Sequence, residues 1–259
     1  MPVNPPLLEP ALDVPGFRIG TASCGVKSPD LKGKRTDLTI IAADVDCHAA
    51  ASFTQNRLRA ACVGLGEQAI NECGSQIRAI VANSGNANAG TGIREADWAQ
   101  MMIASAAKAL DIAPEQVLSA STGVIGTPFP IDRIVEGIEE AAACTSDWQA
   151  AANAIRTTDT FAKWTSRKVG DFTITGISKG SGMIHPNMAT MLGFIATDFP
   201  ITQAELQAIL SRAVNLSFNS ISVDGDTSTN DTVYLLSSGL ESENLAQSRL
   251  QYQDVYPQH

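Results

Sequence analysis

The chain has 259 residues, of which 44% are hydrophobic and 17% charged, with a net charge of −9. That balance excludes a disordered polypeptide. The acidic excess argues against sequence-independent nucleic-acid binding, because the nearest basic cluster, Lys32, Lys34 and Arg35, is too short to neutralise a run of phosphates. The first ten residues, MPVNPPLLEP, carry neither a basic segment nor an apolar run, so a secretory signal is not expected. No stretch approaches the roughly 20 apolar residues that span a bilayer. The expectation is a cytoplasmic protein with no membrane and no nucleic-acid partner. Five widely spaced cysteines, none in a C-x-x-C pair, point to reduced thiols used as small hydrophobes and to no metal site. Aromatics make up only 5%, so the core must come from Ala, Val, Ile and Leu.

Residues 1–15 are Pro-rich and expected to be extended. Leu38 to Ala43 and Arg78 to Ala82 are short apolar runs that read as buried strands. Glu95 to Leu110, Ala- and Met-rich without Gly or Pro, reads as a helix. Gln116 to Ala120 is a further strand. A helix is expected after Pro130, through IDRIVEGIEEAAAC, and another from near Asp147. Lys168 to Ile177 alternates apolar residues about Gly170 and Asp171, which predicts a hairpin. The apolar MLGFIA run after Thr190 is a strand, and Thr202 with Glu205 forms a capping box that opens a helix to about Leu216. This mixture predicts an α/β (α+β) layered class. From residue 241 the Gln- and Ser-rich sequence loses its periodicity, and it reads as a poorly packed tail.

Residues 179–192 read KGSGMIHPNMATML. Two glycines permit close backbone approach, Pro186 fixes a turn, and Thr190 stands between this loop and an apolar strand. A threonine so placed can expose its hydroxyl on a rigid base, although a Thr beside Ala is by itself most often an ordinary strand residue. Asn83, Asn86 and Asn88 lie in an Asn/Gly loop, where turn formation accounts for them at least as well as chemistry does. Asp224, Asp226 and Asp231 suggest a cation only weakly, because D-G-D lacks the full EF-hand spacing.

The 179–192 string closely resembles the self-cleavage segment of the ornithine acetyltransferases. Six further strings resemble that family in the same order: GFRIGTASCGVK at 16–27, FTQNRLRAACV at 53–63, VANSGNANAGTG at 81–92, STGVIG at 121–126, TTDT at 157–160 and SVDGDTSTNDT at 222–232. The resemblance covers residues 14–240 and implies a domain over 1–240 followed by a divergent tail, 241–259. It implies a fold like that of self-processing N-terminal-nucleophile enzymes, of the ornithine acetyltransferase/aminopeptidase type. By the same resemblance the chain cuts itself between Ala189 and Thr190 into an alpha chain, 1–189, and a beta chain, 190–259. Thr190 then takes acetyl from N-acetylornithine and passes it to glutamate. Thr122 and Gly123 match the family's oxyanion pair, and Thr157 and Lys179 match substrate contacts, as does Thr190 itself. Without that context, Thr122 and Gly123 read as a plain loop, Lys179 as a solvated lysine and Thr157 as a turn residue. Many family members carry Ala at the position of His185, which is therefore not assigned to catalysis. No cofactor is implied beyond acetyl-CoA, an alternative acetyl donor in some members, and the implied assembly is two alpha with two beta chains.

The resemblance breaks after residue 240. The family continues much further, through a glutamate and a C-terminal asparagine and Ser/Thr that contact substrate, and this tail resembles neither. Little full-cycle activity is therefore expected of these 259 residues. Two other readings remain at this point: a self-processing amidohydrolase or aminopeptidase, and a truncated, non-catalytic homologue that acts only in assembly or binding.

Overall fold

The computed structural model describes residues 9–183 and 191–240. In chain order its elements are β1 (Phe17–Ala22), β2 (Leu38–Phe53), α1 (Ala61–Cys73), β3 (Ile77–Asn86), α2 (Arg94–Leu110), β4 (Val117–Val124), α3 (Ile131–Ala143), α4 (Trp148–Ala154), β5 (Lys163–Val169), β6 (Phe172–Lys179), β7 (Leu192–Thr197), α5 (Gln203–Leu216) and β8 (Thr232–Ser237). The strands run in the order β4-β3-β2-β8-β7-β6-β5, with β1 also on β2. The pairs β3/β4 and β7/β8 are parallel and the others antiparallel.

The long strand β2 joins two halves of this sheet. Residues 38–43 lie between β1 and β3, and after a register shift between Ala42 and Cys47 residues 48–53 pair with β8. Successive side chains on a strand point to opposite faces. Leu38, Ile40 and Ala42 accordingly pack under α2 and α3 with Met102, Ile134 and Ile138. Ile41 and Ala43 turn the other way, into a cluster with Leu118, Trp148, Ile177, Phe194 and Tyr234. That cluster takes side chains from both halves of the sheet and from α4, and is the central layer of the fold. Helix α5 covers the outer face of the second half through Leu206, Leu210 and Val214. The protein is thus a layered α/β structure with helices outside the strands and an Ala-, Ile- and Leu-rich interior, as the low aromatic content requires.

The expected strands and helices all appear, with shifted ends. β2 continues ten residues past Ala43, because Cys47–Phe53 resumes an apolar pattern after the polar Asp44–Asp46 stretch. Gln116 closes a short 3-10 turn rather than opening β4. The hairpin turn places Gly170 at φ +62° between β5 and β6. Thr202 caps α5 and Glu205 returns the bond, completing the capping box. Asp147 caps α4 by accepting from the Ala150 N–H at 2.7 Å. Elements not foreseen are β1, α1 and β8. The Gly64 and Gly66 of α1 weaken its helical signal, and Gly66 is small because the Tyr234 hydroxyl sits where its Cβ would be. The tail from residue 241 lies outside the described residues.

All five cysteines are free. Burial pushes the thiols of Cys24, Cys47 and Cys62 up to about 12, which keeps them protonated and chemically inert. Among the described residues no helix is long and apolar enough to cross a membrane.

Candidate active site

The parallel strands β3 and β4 end side by side, with Ser84 opposite Thr122 and Gly85 opposite Gly123 before the register breaks at Asn86. The break forces Gly123 to φ +137°, a conformation that side chains with a Cβ rarely adopt. A Cβ on Gly123 would also stand 2.3 Å from the Gly85 carbonyl carbon and 2.5 Å from the Asn86 nitrogen. Glycine is therefore the residue that allows the two strand ends to close on each other. Thr122, only 5% exposed, and Gly123 both face a cavity of about 430 Å³.

Several more segments bring the remaining residues to this cavity. Thr157 and Thr158 follow the end of α4, and Lys179 is the last residue of β6. Gly182 and Met183 line it from the start of the β6–β7 connection, and Asp224 and Asp226 from the loop before β8. Lys27 and Arg35 also line it, so the lining carries both cationic and anionic side chains.

The asparagine loop is structural. The Asn83 side-chain N–H donates to the Asn86 carbonyl at 2.8 Å, and that of Asn86 donates to Thr127 Oγ1 and the Pro128 carbonyl. The Asn88 side chain donates to the Glu95 carbonyl at 2.8 Å. These bonds fold the chain between β3 and α2, which accords with turn formation.

Lys179 is 2% exposed. Burial is the main influence on it and lowers its pKa to about 8; the nearby carboxylates of Asp231 and Asp159 oppose that fall, while Lys163 adds to it. The solvated lysine that sequence alone would suggest is therefore replaced by a desolvated one under the charge of two acids. Burial alone would push the Asp159 carboxyl up. The bond from Lys163, the Gly180 N–H donated at 2.9 Å and the charges of Lys163 and Lys179 outweigh it, so its pKa lies below the ordinary carboxylate value. Lys163 Nζ also donates to the Gly180 carbonyl at 2.7 Å, so both backbone polar groups of Gly180 are held. Asp231 accepts the Met191 N–H at 2.7 Å. Sequence reasoning passed over Asp159 and weighed Asp231 only as a weak cation ligand, not as a partner of Lys179. Each stood inside a recognised string, but a carboxylate in a polar loop gives no sign that folding will bury it.

The structure thus brings Thr122, Gly123, Thr157 and Lys179 to one cavity. Ala189, Thr190 and His185 lie outside the described residues. Among the described residues no group of three or more His, Cys, Asp or Glu could hold a metal ion.

The sequence profile of the ArgJ family matches residues 18–256. The chain belongs to the ArgJ family. It is 46% identical over 238 residues to the arginine biosynthesis bifunctional protein ArgJ of Neisseria meningitidis, covering 90% of this chain and 57% of that protein. The chain therefore spans rather more than half the length of the curated ArgJ relatives it matches. Among solved structures, it resembles the arginine biosynthesis bifunctional protein ArgJ of Bacillus halodurans (TM-score 0.58, 38% identity, 68% of this chain and 92% of that one). It also resembles the ornithine acetyltransferase of Mycobacterium tuberculosis complexed with ornithine (TM-score 0.56, 25% identity, 67% and 92%). A likeness in fold alone extends to the L-aminopeptidase D-Ala-esterase/amidase of Ochrobactrum anthropi, a variant of the Ntn hydrolase fold (TM-score 0.51, 13% identity, 87% and 72%). The layered class and the aminopeptidase-like architecture implied by the sequence resemblance are those of the ArgJ structures and their fold neighbours.

Proposed function

We propose that this ArgJ-family chain is an acetyltransferase that cuts itself between Ala189 and Thr190 and then carries acetyl on Thr190, from N-acetylornithine to glutamate. The observation that carries this reading is the convergence of Thr122, Gly123, Thr157 and Lys179 on one cavity, beside the Gly182–Met183 start of the segment that leads to Thr190. In self-cleavage the Thr190 hydroxyl adds to the Ala189 carbonyl. The tetrahedral oxyanion collapses with loss of the Thr190 nitrogen, leaving an ester, and water hydrolyses the ester to free a carboxylate on Ala189 and an α-amine on Thr190. That amine, with an ordinary pKa of about 8, is a base within reach of its own hydroxyl at neutral pH.

In turnover the Thr190 hydroxyl attacks the acetyl carbonyl of N-acetylornithine and ornithine leaves. The amine of glutamate then takes the acetyl group from the ester. Each step passes through an oxyanion. A hydroxyl at Thr122 and a backbone N–H at Gly123 are suitable donors, each worth about 3–4 kcal/mol by the usual cost of losing one. The Lys179 ammonium offers a desolvated cation for a substrate carboxylate, and Thr157 a hydroxyl for its polar groups. Acetyl-CoA as a second donor belongs to the same proposal, as does the pairing of alpha and beta chains into a two-plus-two assembly.

The lengths of the solved relatives support the cut. Sixty-eight per cent of 259 residues is about 176, and because this is 92% of the Bacillus chain, that chain has about 190 residues. Here 189 residues precede Thr190. The Neisseria relative is more than twice as long as the Bacillus chain, since the 238 residues of the match are 57% of it.

The test is to purify the chain and sequence the N-termini present. Fragments of 189 and 70 residues are expected, the second starting at Thr190. Thr190→Ala should leave the chain whole and Thr190→Ser should cut slowly. An intact, folded parent chain, or a cut in Thr190→Ala, contradicts the proposal.

A further inference from the structure

Lys179, Leu192 and Thr232 stand side by side on three adjacent strands: Lys179 pairs with Leu192, and Leu192 with Thr232. The residues just before the last two, Met191 and Asp231, meet at the end of this row, where Asp231 Oδ1 accepts the Met191 N–H at 2.7 Å. The Thr232 N–H returns a bond to the Met191 carbonyl at 3.0 Å, so Met191 is held on both sides. Asp231 is 1% exposed and sits beside a lysine that is 2% exposed. A carboxylate is not buried this deeply without a cation and donors to hold it.

We propose that Asp231 is a positioning residue of this site, fixing through Met191 the first peptide after the proposed cleavage bond and serving as a buried counter-charge to Lys179. This inference rests on the self-cleavage reading above. Its physical content is that one carboxylate serves two ends of the same chemistry. The hydrogen bond fixes Met191, the residue that follows the proposed nucleophile, and the carboxylate supplies a counter-charge to Lys179.

The other charged groups near Lys179 are Asp159, which is committed to Lys163 and to the Gly180 N–H, and Lys163, which opposes the ammonium. The lining of the same cavity also includes Lys27, Arg35, Asp224 and Asp226. Among these Asp231 exerts the strongest favourable charge on Lys179 and Asp159 the next. Removing the charge at Asp231 but not its shape should therefore lower the Lys179 titration midpoint from its value of about 8.

The experiment compares the 259-residue chain with Asp231→Asn and Asp231→Glu. The Lys179 side-chain nitrogen is followed by NMR across pH in a Thr190→Ala background, where every variant stays uncut, and its signal is identified by its loss in Lys179→Met. Self-cleavage is followed separately, across pH, with Thr190 present. Asp231→Asn should shift the Lys179 midpoint to lower pH. It should also slow self-cleavage about tenfold to a hundredfold and move the alkaline limb of its pH profile in the same direction. Asp231→Glu, which keeps the charge but displaces the acceptor, should hold the midpoint near that of the parent and still slow the cut. An unchanged midpoint in Asp231→Asn, or an unchanged rate and profile, overturns the proposal. If Asp231→Asn does not fold, Asp231→Glu decides: full-speed cleavage overturns it. A parent chain that never cuts defeats the self-cleavage reading, while the Lys179 midpoint still decides whether Asp231 holds its charge.

Discussion

Gly123 shows how much of this site depends on the absence of a side chain. Its φ of +137° lies in glycine territory, and the atoms 2.3 and 2.5 Å from an added Cβ belong to backbone, which cannot rotate away. Gly123→Ala should cost more than the roughly 1–3 kcal/mol of a strained backbone, because the two strand ends must separate as well. A urea titration would read this as a lower midpoint, and self-cleavage should fall with it; a variant of parental stability would show that the strand ends are not closed as described. Gly123 was legible in the sequence only through the family string around it, since a glycine after Ser-Thr carries no chemistry of its own. Lys179 was legible in the same way, but its burial was not. Nothing in KGSG announces that the lysine ends a strand under the charge of two acids. Asp159 went unnoticed, and Asp231 was weighed only as a weak cation ligand, for the same reason: burial of a polar side chain is decided by residues far away in sequence.

Elements were easier to read than residues, because hydrophobic period and caps are local. The capping box at Thr202 and the turn at Gly170 appear where the sequence put them, while β1, α1 and β8 lacked such punctuation. Helix α3 offers a test of how tightly a layer fixes its neighbours. Gly137 faces the sheet, and a Cβ there would lie 2.1 Å from the Cys24 sulfur and 3.4 Å from a Leu38 methyl. Alanine would gain about 1 kcal/mol of helix propensity. Against that, Cys24 and Leu38 are fully buried, and overpacking a closed layer costs about 1–3 kcal/mol. Gly137→Ala is therefore expected to lower the melting temperature, whereas a rise would mean that α3 rides further from the sheet than the structure has it.

At the scale of the whole molecule, the buried thiols set the response to alkali. Cys24, Cys47 and Cys62 titrate near 12 in the folded state against 9.0 when free, so between those values the folded chain holds protons that the unfolded chain has lost. Stability must then fall as pH rises from about 9 to 12, by at most about 1.4 kcal/mol per pH unit for each group. Tyr234, whose pKa burial raises well above 10, acts in the same direction. Lys179 acts in the opposite sense between about 8 and its free value of 10.5, because there the folded chain holds fewer protons. Three thiols outweigh one lysine, so the net slope is downward. Urea midpoints measured across this range should decline, and less steeply in Cys47→Ala; an equal slope in that variant would count against the burial of its thiol.

The ArgJ family match and the cavity lined by Thr122, Gly123, Thr157 and Lys179 support the proposal that Thr190 carries an acetyl group. The most direct measurement is a mass spectrum of the 259-residue chain after incubation with N-acetylornithine and no acceptor. The account predicts a 70-residue fragment beginning at Thr190 and heavier by one acetyl group, which never forms in Thr190→Ala. A Thr190 fragment that remains unmodified, or acetyl found on another residue, would contradict it.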